Sequence, residues 1–141
     1  MKVKKAMHEG AVWLSPDTPL PKLAKAMHDQ DIGAIPIGEN DRLIGMVTDR
    51  DIVCRAVAKG KDPSKLTARD VMTKGISYCQ SENELEEALG VMEKQKIRRL
   101  PVIDENKRLV GMLSLGDISH AAAKDVTGRV MKGISSHHTA R

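Results

Sequence analysis

The stretch Ile32-Gly33-Ala34-Ile35-Pro36-Ile37 recurs 65 residues later as Ile97-Arg98-Arg99-Leu100-Pro101-Val102. Beyond the polar turn that follows each stretch, the offset becomes 66, which pairs Leu43-Ile44-Gly45-Met46 with Leu109-Val110-Gly111-Met112. Insertions concentrate in surface turns, so the one extra residue indicates a hairpin turn at this point. The chain is therefore one structural repeat written twice.

Each repeat has the same predicted order of elements, β-α-β-β-α. The opening strand is short and apolar, at Ala11 to Leu14 and at Ile76 to Cys79. The next helix has its apolar residues at i, i+3, i+4 and i+7, which is one face of an amphipathic helix. These residues are Leu20, Leu23, Ala24 and Met27, then Leu85, Ala88, Leu89 and Met92. Two strands joined by a polar turn follow, at about 34–37 and 43–47, then 100–103 and 109–113, and a closing helix starts near Thr48 and Ser114.

The repeats divide the chain into domains. The segment Lys59–Ser64 contains Gly60 and Pro63 and predicts a linker. We therefore assign residues 1–60 to the first repeat and 61–124 to the second, and we expect 125–141 to be a flexible tail.

A unit of about 60 residues buries little apolar surface alone. We expect an α/β (α+β) fold in which the repeats pack about a pseudo-twofold axis, sheets inside and helices outside, with ligand clefts between them.

The composition describes a foldable chain without specialised segments. The 141 residues carry a formal net charge of +4, with 40% hydrophobic and 30% charged residues, a balance that argues against disorder. No apolar run approaches the ~18 residues of a membrane-spanning helix, and we expect no secretory signal, because no apolar segment follows the basic start Met1–Lys5. Two cysteines, Cys54 and Cys79, cannot form a disulfide framework, so we expect buried thiols and a cytoplasmic location.

A second repeated pattern, Gly-x-x-(Thr/Ser)-x-x-Asp, opens each closing helix. It reads Gly45-Met46-Val47-Thr48-Asp49-Arg50-Asp51 and Gly111-Met112-Leu113-Ser114-Leu115-Gly116-Asp117. Together with the preceding apolar-Pro-apolar strand and turn, it resembles a tandem pair of CBS domains, the Bateman module, over about Val3 to Ala123. The runs Asp31–Ala34 and Thr48–Val53 also resemble the small stand-alone CBS-pair proteins, including the hypoxic-response type.

The resemblance implies a regulatory module and not an enzyme. Such pairs typically bind adenosyl ligands (AMP, ADP, ATP, NAD or S-adenosylmethionine) in clefts between the repeats, and they commonly form dimers. We therefore expect a nucleotide as the regulatory ligand, no required cofactor, a homodimer and an effector protein as partner. The alternative is a stress-related structural or scaffold dimer with no tight nucleotide ligand.

The hydroxyl and carboxylate of the repeated pattern are the first candidate binding groups. Thr48 and Ser114 lie at helix starts, where a hydroxyl beside free backbone N–H groups can bind an anion such as a phosphate. Asp51 and Asp117 follow on the same turn, and their carboxylates can accept both hydroxyls of a ribose. The same spacing is also a plain capping box. We favour a dual role, with capping as the competing interpretation.

Arg98 and Arg99 are further candidate phosphate ligands. They precede a core strand in a position that the family often uses for phosphate contact, and a guanidinium offers forked donors to phosphate oxygens. The first repeat has Gly33 and Ala34 there, so the two sites cannot be equivalent, and Gly33 would let a ligand approach the backbone closely. A solvated basic edge is the competing interpretation.

That edge also raises nucleic-acid binding as a third function. Lys94 and Lys96 join the two arginines there, and four charges would give a steep salt dependence. The chain has one Trp, one Tyr and no Phe, however, and a single-strand binder normally needs aromatic stacking platforms. We therefore do not expect a nucleic-acid partner, and no membrane partner is expected.

By family position, the adenine is expected against aliphatic surface near the opening strands. The candidates are Met7, Val12, Ile32, Gly33, Met72, Ser77 and Ile97. Ordinary core packing is the competing interpretation for the apolar residues among them. For Trp13 and Tyr78, a lid or interface role competes with stacking on a base.

Catalytic and metal sites are not expected. The histidines His8, His28 and His120 show no paired ligand spacing, and His137 and His138 are expected in a solvated tail. No nucleophile–base pair, Walker loop or dinucleotide fingerprint is present.

Overall fold

The computed structural model describes residues 1–10 and 13–138, except for the side chains of residues 137 and 138. In chain order, the strands are β1 His8–Glu9, β2 Ala34–Glu39, β3 Arg42–Thr48, β4 Thr73–Lys74, β5 Cys79–Gln80, β6 Arg99–Ile103 and β7 Leu109–Ser114. The α-helices are α1 Val3–Ala6, α2 Leu20–Gln30, α3 Asp49–Ile52, α4 Ala68–Val71, α5 Leu85–Gln95, α6 Leu115–Ala121 and α7 Lys124–Ile134. A π-helical segment, Val53–Val57, continues α3, and 3₁₀ turns occupy Pro63–Lys65 and Ser135–His138. The mixed α/β class expected from the sequence is confirmed.

The chain forms two compact units whose boundaries differ from those of the sequence repeats. The discontinuous unit consists of Met1–Ala11 and Ser77–Arg141, and the continuous unit consists of Val12–Ile76. Each unit therefore combines most of one repeat with the first residues of the other. The domains predicted from sequence, 1–60 and 61–124, follow the sequence repeats, whereas the compact units also include the short strands exchanged between repeats.

The exchanged segments each add an edge strand to a hairpin. In the discontinuous unit, β1 pairs antiparallel with β7, with His8 opposite Met112. In the continuous unit, β4 pairs antiparallel with β3, with Thr73 opposite Met46. The resulting sheets have the orders β1-β7-β6-β5 and β2-β3-β4. The start of each repeat is thus tied by backbone pairing to the hairpin of the other repeat.

Two glycines make this pairing possible. A Cβ on Gly111 would stand 2.5 Å from the carbonyl oxygen of His8 and 2.7 Å from Sδ of Met7. A Cβ on Gly45 would stand 2.8 Å from the carbonyl oxygen of Thr73. Real Cβ atoms do not approach so closely, so the first residue of the Gly-x-x-(Thr/Ser)-x-x-Asp pattern leaves the space that the incoming strand fills.

Each unit has its own aliphatic core, as the near absence of aromatic residues predicts. In the discontinuous unit the buried residues are Val3, Cys79, Leu85, Ala88, Leu89, Met92, Leu100, Val102, Leu113, Ile118, Val130 and Ile134. In the continuous unit they are Leu20, Leu23, Met27, Ile35, Ile37, Val47, Ala56, Ala68, Val71 and Met72. The predicted helical faces are confirmed except at Ala24, which is exposed.

The residues after Lys124 are a correction to the expected flexible tail. Helix α7 spans Lys124–Ile134, and Val130 and Ile134 are both buried in the core of the discontinuous unit. The apolar residues of this segment recur at i and i+4, so burying them against α5 stabilises a helix that no repeat pattern indicates. The expected buried thiols are a second correction, because Cys79 is buried but Cys54 is exposed.

The opening strands are shorter than predicted. Leu14 makes a single parallel bridge to Ile37. The second opening strand was predicted at Ile76 to Cys79, but β5 begins only at Cys79. Residues 11 and 12 of the predicted first strand lie outside the described residues. Among the helices that the structure describes, none combines the length and apolar character needed to cross a membrane.

Candidate functional site

The hydroxyl and the carboxylate of the repeated pattern form a capping box in both units. In the continuous unit, Thr48 N donates to Asp51 Oδ2 at 2.9 Å and Asp51 N donates to Thr48 Oγ1 at 3.1 Å. In the discontinuous unit, the matching distances between Ser114 and Asp117 are 2.8 and 3.1 Å. The capping interpretation is confirmed, and each carboxylate is held rigidly at the start of its helix, α3 or α6.

In the continuous unit, the second oxygen of Asp51 faces a hydroxyl and a guanidinium. Thr73 Oγ1 donates to Asp51 Oδ1 at 3.5 Å, and Arg55 Nε lies 3.9 Å from the same oxygen. Arg55 Nη1 also donates to the carbonyl oxygens of Val71 and Met72, at 3.0 and 2.9 Å. Arg55 therefore binds the carbonyl end of α4 and links it to the carboxylate.

In the discontinuous unit, the second oxygen of the carboxylate faces a histidine. His8 Nδ1 is in contact with Asp117 Oδ1, an ion pair when the imidazole is protonated. The Asp117 side chain is 6% exposed, whereas that of His8 is 79% exposed. The carboxylate is thus buried with one partner on each oxygen, while the imidazole is largely exposed to solvent.

His8 and Thr73 are equivalent positions of the two repeats. They share the offset of 65 residues, and each directly follows a methionine, Met7 or Met72. Sequence reasoning did not single them out as site residues. The signal that could have found them is the repeat offset itself, which places both on the segment that pairs with the Gly-x-x-(Thr/Ser)-x-x-Asp hairpin.

The structure brings the basic pair next to the helix start of the discontinuous unit. Arg99 lies directly opposite Ser114 in the β6–β7 register, and Leu115 N donates to the carbonyl oxygen of Arg98 at 2.9 Å. In the continuous unit the same backbone bond runs from Asp49 N to the carbonyl oxygen of Gly33, at 3.0 Å. The two helix starts therefore share one backbone geometry but differ in charge.

The adenine candidates take different positions. Met72 is buried in the core of the continuous unit, and Met7 and Ile97 pack partly buried against the core of the discontinuous unit. Ile32 is exposed, directly before Gly33. In the parallel register of β5 and β6, Cys79 pairs with Val102.

By the same parallel register, Ser77 lies near the start of β6, which begins at Arg99. Val12 lies outside the described residues.

The two aromatic residues are partly exposed. Trp13 lies over Gly38, where an added Cβ would stand 2.6 Å from the indole ring. Tyr78 is half-exposed just before β5. Within the described part of the chain, no group of three or more His, Cys, Asp or Glu side chains is arranged to hold a metal ion.

Comparison with known proteins agrees with this architecture. The chain is 39% identical over 131 residues to hypoxic response protein 1 of Mycobacterium tuberculosis, covering 92% of this chain and 91% of that protein. A crystal structure of hypoxic response protein I with two coordinated zinc ions superposes with a TM-score of 0.78, covering 87% of this chain and all of that one.

Two more distant structures share the fold. The CBS domain pair of MJ0100, solved with 5′-methylthioadenosine and S-adenosylmethionine, is 24% identical with a TM-score of 0.77, covering 86% of this chain and 98% of that one. CBSX2, solved with AMP, is 23% identical with a TM-score of 0.72, covering 85% and 94%. The family model of the CBS domain matches residues 3–57 and 68–124. This chain therefore belongs to the CBS-domain family, as a tandem pair similar to the stand-alone CBS proteins.

Proposed function

We propose that this chain is a non-catalytic regulatory module that binds adenosyl ligands at Asp51 and Asp117. The observation that carries the proposal is that one carboxylate geometry is built twice, once in each unit. Each site also joins the two repeats, because Asp51 meets Thr73 from the start of the second repeat and Asp117 meets His8 from the start of the first. The ligands found in MJ0100 and CBSX2 support the class of ligand.

The carboxylates keep acceptor capacity for a ribose. An ionised carboxylate has about four lone-pair sites, and each Asp uses one on the backbone N–H of Thr48 or Ser114 and one on the residue from the exchanged segment. The remaining lone pairs can accept the two ribose hydroxyls. The capping bonds hold the carboxylate in place before the ligand arrives, which lowers the entropy cost of binding.

The groups beside each carboxylate would hold the rest of the ligand. Phosphates would lie near the hydroxyls of Thr48 and Ser114, and in the discontinuous unit near Arg98 and Arg99. The adenine would lie against the candidates that remain accessible, chiefly Ile32 and Gly33 in the continuous unit, and Met7, Ile97 and Ser77 in the discontinuous unit. Met72 is buried, so its sulfur would contribute only to the floor of such a pocket.

The output of the module is a change of conformation. A ligand shifts an equilibrium only through a difference in its affinity for two states. The proposal therefore includes an effector protein, or a change in assembly of a cytoplasmic homodimer, that reads the occupied state. The proposal assigns the module no catalytic role of its own.

Calorimetric titration with AMP, ADP, ATP, NAD and S-adenosylmethionine tests the proposal. Asp51→Asn and Asp117→Asn should each remove one binding event and leave the other intact. Asp70→Asn is the matched control, because Asp70 forms the same capping box with Thr67, at 2.8 Å, and its carboxylate bonds to Thr67 rather than to a residue of either site. All three variants should lose about 1 kcal/mol of stability, and only the first two should lose binding.

A structural scaffold is the second candidate function. It is favoured by the partners that each carboxylate already has, above all the Arg55 link between Asp51 and the end of α4. If no adenosyl ligand binds at millimolar concentration while the variants lose stability alone, the carboxylates are structural and the scaffold role replaces the sensor role.

A further inference from the structure

The two carboxylate sites differ in the one group that faces the second carboxylate oxygen. That group is the Thr73 hydroxyl at Asp51 and the His8 imidazole at Asp117. A hydroxyl keeps its charge state across the physiological range, whereas histidine side chains gain and lose a proton there. We infer that His8 is an affinity-determining residue of the Asp117 site and that its protonation weakens ligand binding at this site alone. The inference rests on the proposed function.

Competition for one oxygen atom is the physical reason. A ribose hydroxyl that binds Asp117 at Oδ1 shares that oxygen with His8 Nδ1, and one that binds at Oδ2 shares it with Ser114 N. An imidazolium binds a carboxylate more strongly than a neutral imidazole does. Acidification therefore strengthens the His8–Asp117 pair and makes Oδ1 a weaker acceptor for a ribose hydroxyl. Since the His8 side chain is largely in solvent, the effect is that of an exposed ion pair and is modest.

The charged groups around His8 leave Asp117 as its ionic partner. Strand β7, which pairs with β1, has no titratable side chain. The other charged or titratable groups on α1, β1 and α6 are Lys4, Lys5, Glu9 and His120. Lys4 is occupied by Glu82 at 2.7 Å, and Asp117 is the carboxylate in ion-pair contact with His8 in the part of the chain that the structure describes.

The Asp51 site offers an internal comparison. Arg55 keeps its positive charge at all relevant pH values, and it is held by the carbonyl oxygens of Val71 and Met72. The position equivalent to Arg55 in the second repeat is Ala121. The Asp51 site is therefore expected to bind with little dependence on pH.

Calorimetry with 5′-methylthioadenosine, which has no group titrating between pH 6 and 8, and in parallel with AMP, tests the inference. In an Asp51→Asn background, the dissociation constant should rise about two- to fivefold from about pH 8 to about pH 6. Adding His8→Thr should abolish this rise. In an Asp117→Asn background the dissociation constant should change little between these two pH values, and adding Thr73→His should introduce a dependence on pH.

The outcomes separate the two proposals. If the His8→Thr variant retains the same pH response as its parent, the role of His8 is overturned while the adenosyl-binding function stands. If neither probe binds at either pH in any variant, the proposed function fails and the role of His8 fails with it. His8 is exposed and threonine suits a strand, so circular dichroism at both pH values should confirm an unchanged fold.

Discussion

The Cα of Gly111 lies so close to the backbone of His8 that an added Cβ would stand 2.5 Å from the His8 carbonyl oxygen. This approach lets β1 pair with β7, and it brings the His8 side chain to Asp117. The equivalent approach of Gly45 to Thr73 serves Asp51 in the continuous unit. The glycine of the repeated pattern thus acts on the site through the backbone of the exchanged strand.

Gly111→Ala is expected to destabilise the protein by about 1–3 kcal/mol, because the obstructing atoms are backbone and cannot yield cheaply. Gly45→Ala should behave in the same way. Urea denaturation measures the change. The control is Gly90→Ala in α5, where nothing lies within 4 Å of the added Cβ and alanine should stabilise the helix by about 0.5–1 kcal/mol. Equal effects at Gly111 and Gly90 would contradict the steric account.

Arg55→Ala is expected to loosen β4 and to cost about 1–2 kcal/mol, because two carbonyl oxygens of the α4 terminus lose a charged donor. Hydrogen exchange should accelerate at the backbone amides of Thr73–Lys74. Arg50→Ala, on the same helix with an exposed side chain, should change stability by less than about 0.5 kcal/mol. Unchanged exchange in β4 after Arg55→Ala would show that Arg55 does not position this strand.

Cys54 and Cys79 are expected to differ sharply in reactivity. Burial raises the pKa of the Cys79 thiol to about 12, and Cys54 is exposed. Since the thiolate is the reactive form, a disulfide reagent at mildly alkaline pH should label one thiol per native chain and two after unfolding. The Cys54→Ser variant should show no fast labelling. Rapid labelling of both thiols in the native protein would contradict the burial of Cys79.

The same thiol predicts a pH dependence of stability. The pKa of Cys79 is about 12 in the folded protein against 9.0 for a free thiol, so the folded state keeps a proton that the unfolded state loses. Stability is therefore fully present below pH 9 and falls as pH rises from 9 towards 12, by about 1 kcal/mol over the first unit. Urea unfolding of Cys79→Ala should lack this component of the slope. An identical slope in the parent and the variant would contradict it.

Ile134→Ala is expected to cost about 2–4 kcal/mol, because this residue at the end of α7 is 1% exposed in the core of the discontinuous unit. Met131→Ala, on the same helix but 53% exposed, should cost less than about 0.5 kcal/mol. Thermal denaturation compares the two. A flexible tail would make both substitutions neutral.

The repeated apolar stretches were enough to predict the order of elements, the hairpins and the buried helical faces, because those features depend on local periodicity. Leu20, Leu23 and Met27 in α2 show this. Helix α7 escaped prediction because it has no counterpart in the first repeat, and its burial depends on packing against α5.

The candidate site was predictable only in part. Asp51, Asp117, Thr48 and Ser114 stand in one contiguous pattern whose spacing fixes their geometry. Two partners of their carboxylates, His8 and Thr73, come from other segments, and their position depends on two-residue strands that no propensity reveals. Arg55 was not predicted as a site residue because its equivalent position in the second repeat is an alanine, so the repeat does not mark it.

The exchange of strands between the repeats constrains how such a chain could be taken apart or assembled. A gene fragment ending before Thr73 would leave the β3 edge without its strand, and a fragment beginning after Glu9 would leave β7 in the same condition. A single ancestral copy would have needed to pair with this strand from a second molecule, so duplication and fusion would convert an intermolecular strand exchange into an intramolecular one.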